Sequence, residues 1–196
     1  MPYPEIYLNK NEDKRLRLGH LWVFSNEIDT KRSPLEQFSA GDLVQIISHD
    51  GKALGTAYIN PKTLICARLL SRKTNIKCGI NFFKERLGTA LALREKLFDK
   101  PFYRLVFGES DALPGVVIDR FGSVFALQIT TAGMEQRKDT LIAALIDLLD
   151  PAAIILKNDN SQRQLEGLSM ASEIVYGALP EPLIIEEMAP DLKSTS

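Results

Sequence analysis

Apolar and polar positions alternate in short runs over the first 75 residues and fall into longer helical periods beyond residue 80, with the change at 73–79. Residues 20–28 (HLWVFSNEI) read as a strand that puts Trp22 and Phe24 on one side and Val23 on the other. Residues 43–47 and 53–58 flank Asp50-Gly51 as a predicted hairpin, and 64–70 (LICARLL) is a further strand with Arg68 embedded in it. Ahead of them, Asn11 is predicted to cap a short helix. Its first turn carries Glu12 and Asp13, its later turn Lys14, Arg15 and Arg17, and Gly19 follows as its terminator.

Past the break, Asn81 is predicted to open a helix reaching Phe98, with Phe83, Leu87, Leu91 and Phe98 facing a core and Lys84, Arg86, Arg94 and Lys96 in water. Residues 103–107 form a strand, Leu113-Pro114-Gly115-Val116 suits a type II turn, and Gly122-Ser123 joins strands 116–121 and 124–130. A helix over 134–149, a strand over 152–157, a short helix over 162–168 and strands at 174–176 and 183–187 complete the pattern. The fold class expected is α+β: a β-rich barrel or sandwich over 1–75, a mixed α+β domain over 76–190, and a frayed, disordered tail over 191–196.

Composition narrows the partners. The 196 residues hold 24 Lys and Arg against 25 Asp and Glu, a formal charge of -1, so no uniform field holds a polyanion. The first 75 residues carry 11 basic against 8 acidic groups and the rest 13 against 17, so the two parts have charges of +3 and -4. The N-terminus has no apolar leader, and the most apolar run, 141–156, is broken by Asp147, Asp150 and Pro151; a cytoplasmic protein with no membrane partner is expected. Cys66 and Cys78, with His20 and His49, are too few for a disulfide framework or a four-cysteine zinc site. Both thiols read as reduced and structural, and no metal is expected.

No glycine-rich strand-to-helix turn is present, so no nucleotide-type cofactor is expected in this chain. Gly108-Glu109-Ser110-Asp111-Ala112 lacks the second glycine of a nucleophile elbow, and no histidine lies near it in sequence. Glu109 and Asp111 offer an acid/base pair, yet an Asp ahead of the Pro114-Gly115 bend more often bonds backbone N–H groups; a structural role is expected, and no catalytic residue is assigned. The more informative cluster is Lys14, Arg15, Arg17, His20, Trp22 and Phe24. Cations held against phosphates and flat groups stacked on bases are how looped or single-stranded RNA is bound, and Arg68 and Arg72 extend the same set. The alternative is that Trp22 and Phe24 belong to the barrel core and the cations solvate a helix. On the residues alone both stay open.

Taken together, the motifs resemble one family. The segment 14–28 (KRLRLGHLWVFSNEI), Gly41-Asp42-Leu43-Val44, Leu54-Gly55 with Asn60-Pro61, and Arg68-Leu69-Leu70-Ser71 look like the N-terminal PUA module of class I SAM-dependent large-subunit rRNA methyltransferases, which make 5-methylcytosine in 23S rRNA. The segment 103–122 (YRLVFGESDALPGVVIDRFG) and Arg163-Gln164-Leu165-Glu166-Gly167-Leu168 are similar to that family's central α+β domain. The chain departs from it at Leu21, where the family often has proline, and at Lys157, where arginine is common.

The resemblance implies a PUA-like RNA-binding domain over 1–75 that uses Lys14, Arg15, Arg17, His20, Trp22, Arg68 and Arg72. It also implies a central domain in which Glu109, Asp111, Pro114, Gly115, Asp119 and Arg120 are structural or positioning. The family's SAM-binding catalytic domain would begin near residue 190, so the chain is expected to be a truncated form that binds 23S rRNA without methylating it. SAM is then the cofactor of the full-length family only. A stand-alone PUA-type adaptor for RNA or protein, with a possible homodimer through the mixed sheet, is the competing expectation.

Overall fold

The computed structural model describes residues 2–180. In its first part, β1 (Glu5–Tyr7), β2 (Trp22–Phe24), β3 (Leu43–Ile47), β4 (Ala53–Ile59) and β5 (Ile65–Ser71) form one sheet in the order β1-β3-β4-β5-β2. β1 runs parallel to β3 and the other pairs are antiparallel. One face of this sheet closes over Ile6, Leu8, Val23, Val44, Ile46, Ala57, Ile59, Ala67 and Leu69. Leu16, from the one-turn helix α1 (Lys14–Arg17), plugs the same core. Asn11 does not cap α1: its φ of 71° puts it in the left-handed region, and Asp13 precedes the first helical residue without a side-chain cap. The strand that carries Trp22 is also shorter than expected, because residues Ser25–Glu27 tighten into a 3₁₀ turn.

The second part pairs β6 (Phe102–Phe107), β7 (Val116–Phe121), β8 (Val124–Ile129), β9 (Ala153–Asn158) and β10 (Ala171–Gly177) in the order β10-β9-β8-β7-β6. All neighbours are antiparallel except β8 and β9, which need a crossover connection. That crossover runs through α3 (Ala132–Glu135) and α4 (Lys138–Leu149). With α2 (Ile80–Leu97), α4 covers one face of the sheet, burying Phe83, Leu87, Leu141 and Leu145 against Leu105, Ile118, Phe125, Leu127, Ile154 and Leu156. A final turn, α5 (Gln162–Leu165), precedes β10. The chain is therefore α+β, as expected. The strand read at 183–187 and the tail at 191–196 lie outside the described residues.

Several details differ from the sequence reading, and at the 134–149 helix, Arg86 and Arg94 a tertiary partner intervenes. The helix expected over 134–149 is two helices. At the break the Gln136 amide donates to the Ala40 carbonyl (2.7 Å) and the Arg137 guanidinium to the Gly41 carbonyl (3.0 Å), so both side chains are drawn to the first part. Arg86 and Arg94 are not simply wetted: Arg86 donates to the Leu70 carbonyl and its guanidinium lies 4.1 Å from the Phe82 ring centre, while Arg94 forks onto Asp111. Gly79, not Asn81, caps α2. The type II turn at Leu113–Val116 is present, with Gly115 at φ 78° and the Val116 N–H donating to the Leu113 carbonyl (3.0 Å).

Candidate functional site

Cross-strand pairing sets Tyr58, Arg68 and Trp22 side by side on β4, β5 and β2, and directly opposed residues share a face. That face looks away from the first part's core, into which Val23, Ala57 and Ala67 point. All three side chains meet the second part of the chain. The Tyr58 hydroxyl donates to the Pro114 carbonyl (3.0 Å) and shares a hydrogen bond with Thr131 Oγ1 (3.0 Å). Burial holds its phenol well above the ordinary range. Gly133 lies under the ring so closely that a Cβ there would sit 2.1 Å from it.

Arg68 Nη1 stands 2.9 Å from Glu166 Oε1, and the two side chains are only 12% and 5% exposed. Glu166 Oε2 accepts from Asn60 Nδ2 (2.8 Å) and from the backbone N–H of Ala132 (3.2 Å), the first residue of α3. A buried carboxylate thus ties β4, β5 and the start of α3 together through charge and three donors, as burying it requires. Trp22 completes the row. Its Nε1 donates to Glu109 Oε1 (2.6 Å), yet the residue keeps 37% of its surface exposed. Trp22 is therefore not a core residue; the core position of β2 is Val23.

Between these joints lies a cleft of about 580 Å³, where the parts of the chain that carry the two sheets meet. Trp22, Lys62, Leu64 and Arg68 line it from the first part, and Glu109, Thr130, Gln162, Leu165 and Glu166 from the second. Of the residues singled out in the sequence, the structure brings Trp22, Arg68, Glu109 and Gly115 to this cleft. Arg15 reaches it indirectly: its guanidinium pairs with Glu27 (3.2 Å) and lies 4.9 Å from the Phe24 ring centre, and Phe24 meets Trp22 edge to face at 6.4 Å.

The remaining candidates sit elsewhere. Arg17 pairs with Asp13 at 2.5 Å, Lys14 and His20 are exposed, and Arg72 donates to the His20 carbonyl (3.4 Å). Asp111 accepts the Phe107 N–H (2.7 Å) and both Arg94 nitrogens (2.8 and 2.7 Å), which clamps the turn carrying Glu109. Asp119 forks with Arg104 (2.7 and 3.1 Å), and Arg120 bonds the Gly122 carbonyl (3.0 Å) and the Tyr103 hydroxyl (2.9 Å), both on the second sheet and off the cleft lining.

Sequence reasoning did not single out Tyr58, Asn60, Lys62 or Glu166 as site residues. One signal for Glu166 was present: an arginine inside an apolar strand demands a buried acceptor.

Thiol chemistry has little footing here. Burial pushes the Cys66 thiol up to about 11, and it also raises that of Cys78. Neither favours the nucleophilic thiolate near neutral pH. Among the described residues no group of three or more His, Cys, Asp or Glu side chains is placed to hold a metal, and no helix is long and apolar enough to cross a membrane.

Residues 6–72 match the family described as a PUA-like domain. The chain is 37% identical over 186 residues to ribosomal RNA large subunit methyltransferase I of Aliivibrio fischeri (strain MJ11), covering 93% of this chain and 46% of that protein. It is 38% identical over 190 residues to the protein of that name from Salmonella typhi, covering 94% and 46%. It thus spans just under half the length of these curated relatives. Among solved structures, a putative SAM-dependent methyltransferase from Streptococcus mutans superposes with a TM-score of 0.72 at 20% identity, over 90% of this chain and 44% of that one. A putative methyltransferase complexed with SAH gives 0.72 and 20%, over 91% and 44%. At that identity the likeness is one of fold.

Proposed function

From a chain that carries a PUA-like domain and is related along nearly all its described length to ribosomal RNA large subunit methyltransferase I, we propose that it is the RNA-recognition portion of a SAM-dependent enzyme forming 5-methylcytosine in 23S rRNA. The observation that carries this reading is the cleft itself: an aromatic ring left partly in solvent at a fixed domain joint, with cations around it. In this reading exposed Lys14, Lys62 and Arg72 of the PUA-like part meet phosphates, and Arg15, over Phe24 beside Trp22, supports the same role.

The methyl donor and the nucleophile belong, in this reading, to the part of the relatives' length that this chain does not span. The raised thiols of Cys66 and Cys78 agree with that division, because addition to a pyrimidine needs a thiolate. The domain limits proposed are 1–75 for RNA binding and 76–190 for positioning, in a protein working in the cytoplasm. The joint at Tyr58, Arg68 and Trp22 lets the two act as one body, so that gripping the RNA also sets the orientation of whatever follows.

The test is a salt titration with a fragment of 23S rRNA. Affinity is expected to fall steeply between low and moderate ionic strength, and Lys14→Ala or Arg17→Ala to weaken binding across sequences and flatten the salt slope by about one unit. A salt-insensitive affinity overturns phosphate recognition. With labelled SAM and rRNA the chain alone is expected to transfer no methyl group, and robust transfer overturns the division of labour.

A further inference from the structure

The geometry points to one unpaired nucleobase with an exocyclic amine where uracil and guanine carry a carbonyl, cytosine or adenine, as the occupant of the interdomain cleft; this rests on the RNA-recognition reading above and specifies what the site takes. The cleft's volume of about 580 Å³ lies within the ~300–1,000 Å³ typical of small-ligand sites. Its charges argue for a base and against a phosphate. The four ionisable groups in its lining are Lys62, Arg68, Glu109 and Glu166, and Arg68 and Glu166 neutralise each other at 2.9 Å. Inside, a phosphate meets no uncompensated cation, while exposed Lys62 pairs with no carboxylate among the described residues and can take the backbone as it enters.

The walls suit a flat heterocycle. Trp22 is held by its own N–H on Glu109, so its ring is oriented before any ligand arrives, and stacking then costs little ordering. Leu64 and Leu165, 70% and 78% exposed, add apolar surface from the two domains to the same cleft. Glu109 bonds Trp22 through Oε1, and its Oε2 and the Gln162 side-chain amide have no partner among the described residues. A carboxylate oxygen accepts from the amine of cytosine or adenine, whereas the carbonyl oxygen of uracil at the equivalent place is repelled.

Trp22 is the chain's only tryptophan, so its emission reports the cleft directly. The chain is titrated with fluorescein-labelled hairpins that carry C, A, U or an abasic position in the loop, reading label anisotropy and Trp22 emission together. C and A loops are expected to quench Trp22 and to bind about fivefold or more tighter than U or abasic loops. Glu109→Gln, which still accepts from Trp22 and can also donate to a carbonyl, is expected to bring U level with C. Leu165→Ala, at an exposed position where folding is not at risk, is expected to reduce the C preference and leave abasic binding unchanged. Equal anisotropy isotherms for all four loops with unchanged emission overturn the base site and leave RNA recognition standing. No anisotropy change with any hairpin at low salt overturns both.

Discussion

Arg68 and Glu166 are 98 residues apart in sequence, and their side chains meet at 2.9 Å with almost no access to solvent. The pair joins the PUA-like sheet to the α3–α5 corner of the second part of the chain. Removing one partner leaves the other charged and buried, which typically costs about 3–5 kcal/mol. Arg68→Met and Glu166→Gln are each expected to lose stability in that range in urea unfolding. The double variant Arg68→Met/Glu166→Gln is expected to lose clearly less than the two combined. Additive losses would show that the pair is not a coupled joint.

The contact of Gly133 with Tyr58 leaves no room for a methyl group, and the ring is fixed by its bonds to Pro114 and Thr131. Gly133→Ala is therefore expected to destabilise by about 1–3 kcal/mol, through overpacking. Gly88, inside α2 with open space where a Cβ would go, is the converse. Gly88→Ala is expected to raise stability by about 0.5–1 kcal/mol, through helix propensity alone. Thermal unfolding of the two variants side by side checks both signs.

For Cys66 the sign follows from burial raising the thiol from about 9 to about 11. The folded chain holds this proton more tightly than the unfolded one. Its contribution to stability is complete below about pH 9 and is lost as pH rises from about 9 through about 11. The stability difference between the wild type and Cys66→Ala is expected to shrink over that window. A constant difference from about pH 8 to 11 would show a thiol titrating alike in both states. In the native state at about pH 8, Cys66 is expected to resist alkylation.

Asp111 anchors the turn that presents Glu109 to Trp22. Asp111→Asn replaces an acceptor with an N–H donor opposite the Arg94 fork, whose side chain is 13% exposed against 6% for Asp111. A loss of about 3–5 kcal/mol is expected, as for a buried pair broken on one side. A red shift of Trp22 emission in the still-folded variant should accompany it, because the indole N–H partner loosens. Unchanged emission would separate the Arg94 clamp from the placement of Trp22.

Local chemistry carried much of the fold. The turns at Asp50-Gly51, Pro114-Gly115 and Gly122-Ser123 need residues that tolerate positive φ, and Gly51, Gly115 and Gly122 adopt it. The hairpins they close could be read without any partner in view. The run LICARLL also announced a strand, but not that β5 is covered on both sides, by the barrel core and by the second domain.

Helix ends and breaks were less legible, since the interruption at Gln136 and Arg137 answers to carbonyls at Ala40 and Gly41, nearly a hundred residues away. The site was the least legible part. Alternation along β2 told that Trp22 and Val23 face opposite ways, yet both assignments of the core face satisfied it equally.

What the sequence determined by itself is therefore the α+β class, most of its turns, and which side chains share a face. The tertiary structure alone decided that Val23 goes inward, that Arg68 finds Glu166, and that Trp22 is left at the mouth of a cleft. The reason is physical: periodicity depends on neighbours within a few residues, whereas a buried charge or an open ring is settled by whichever distant surface packs against it.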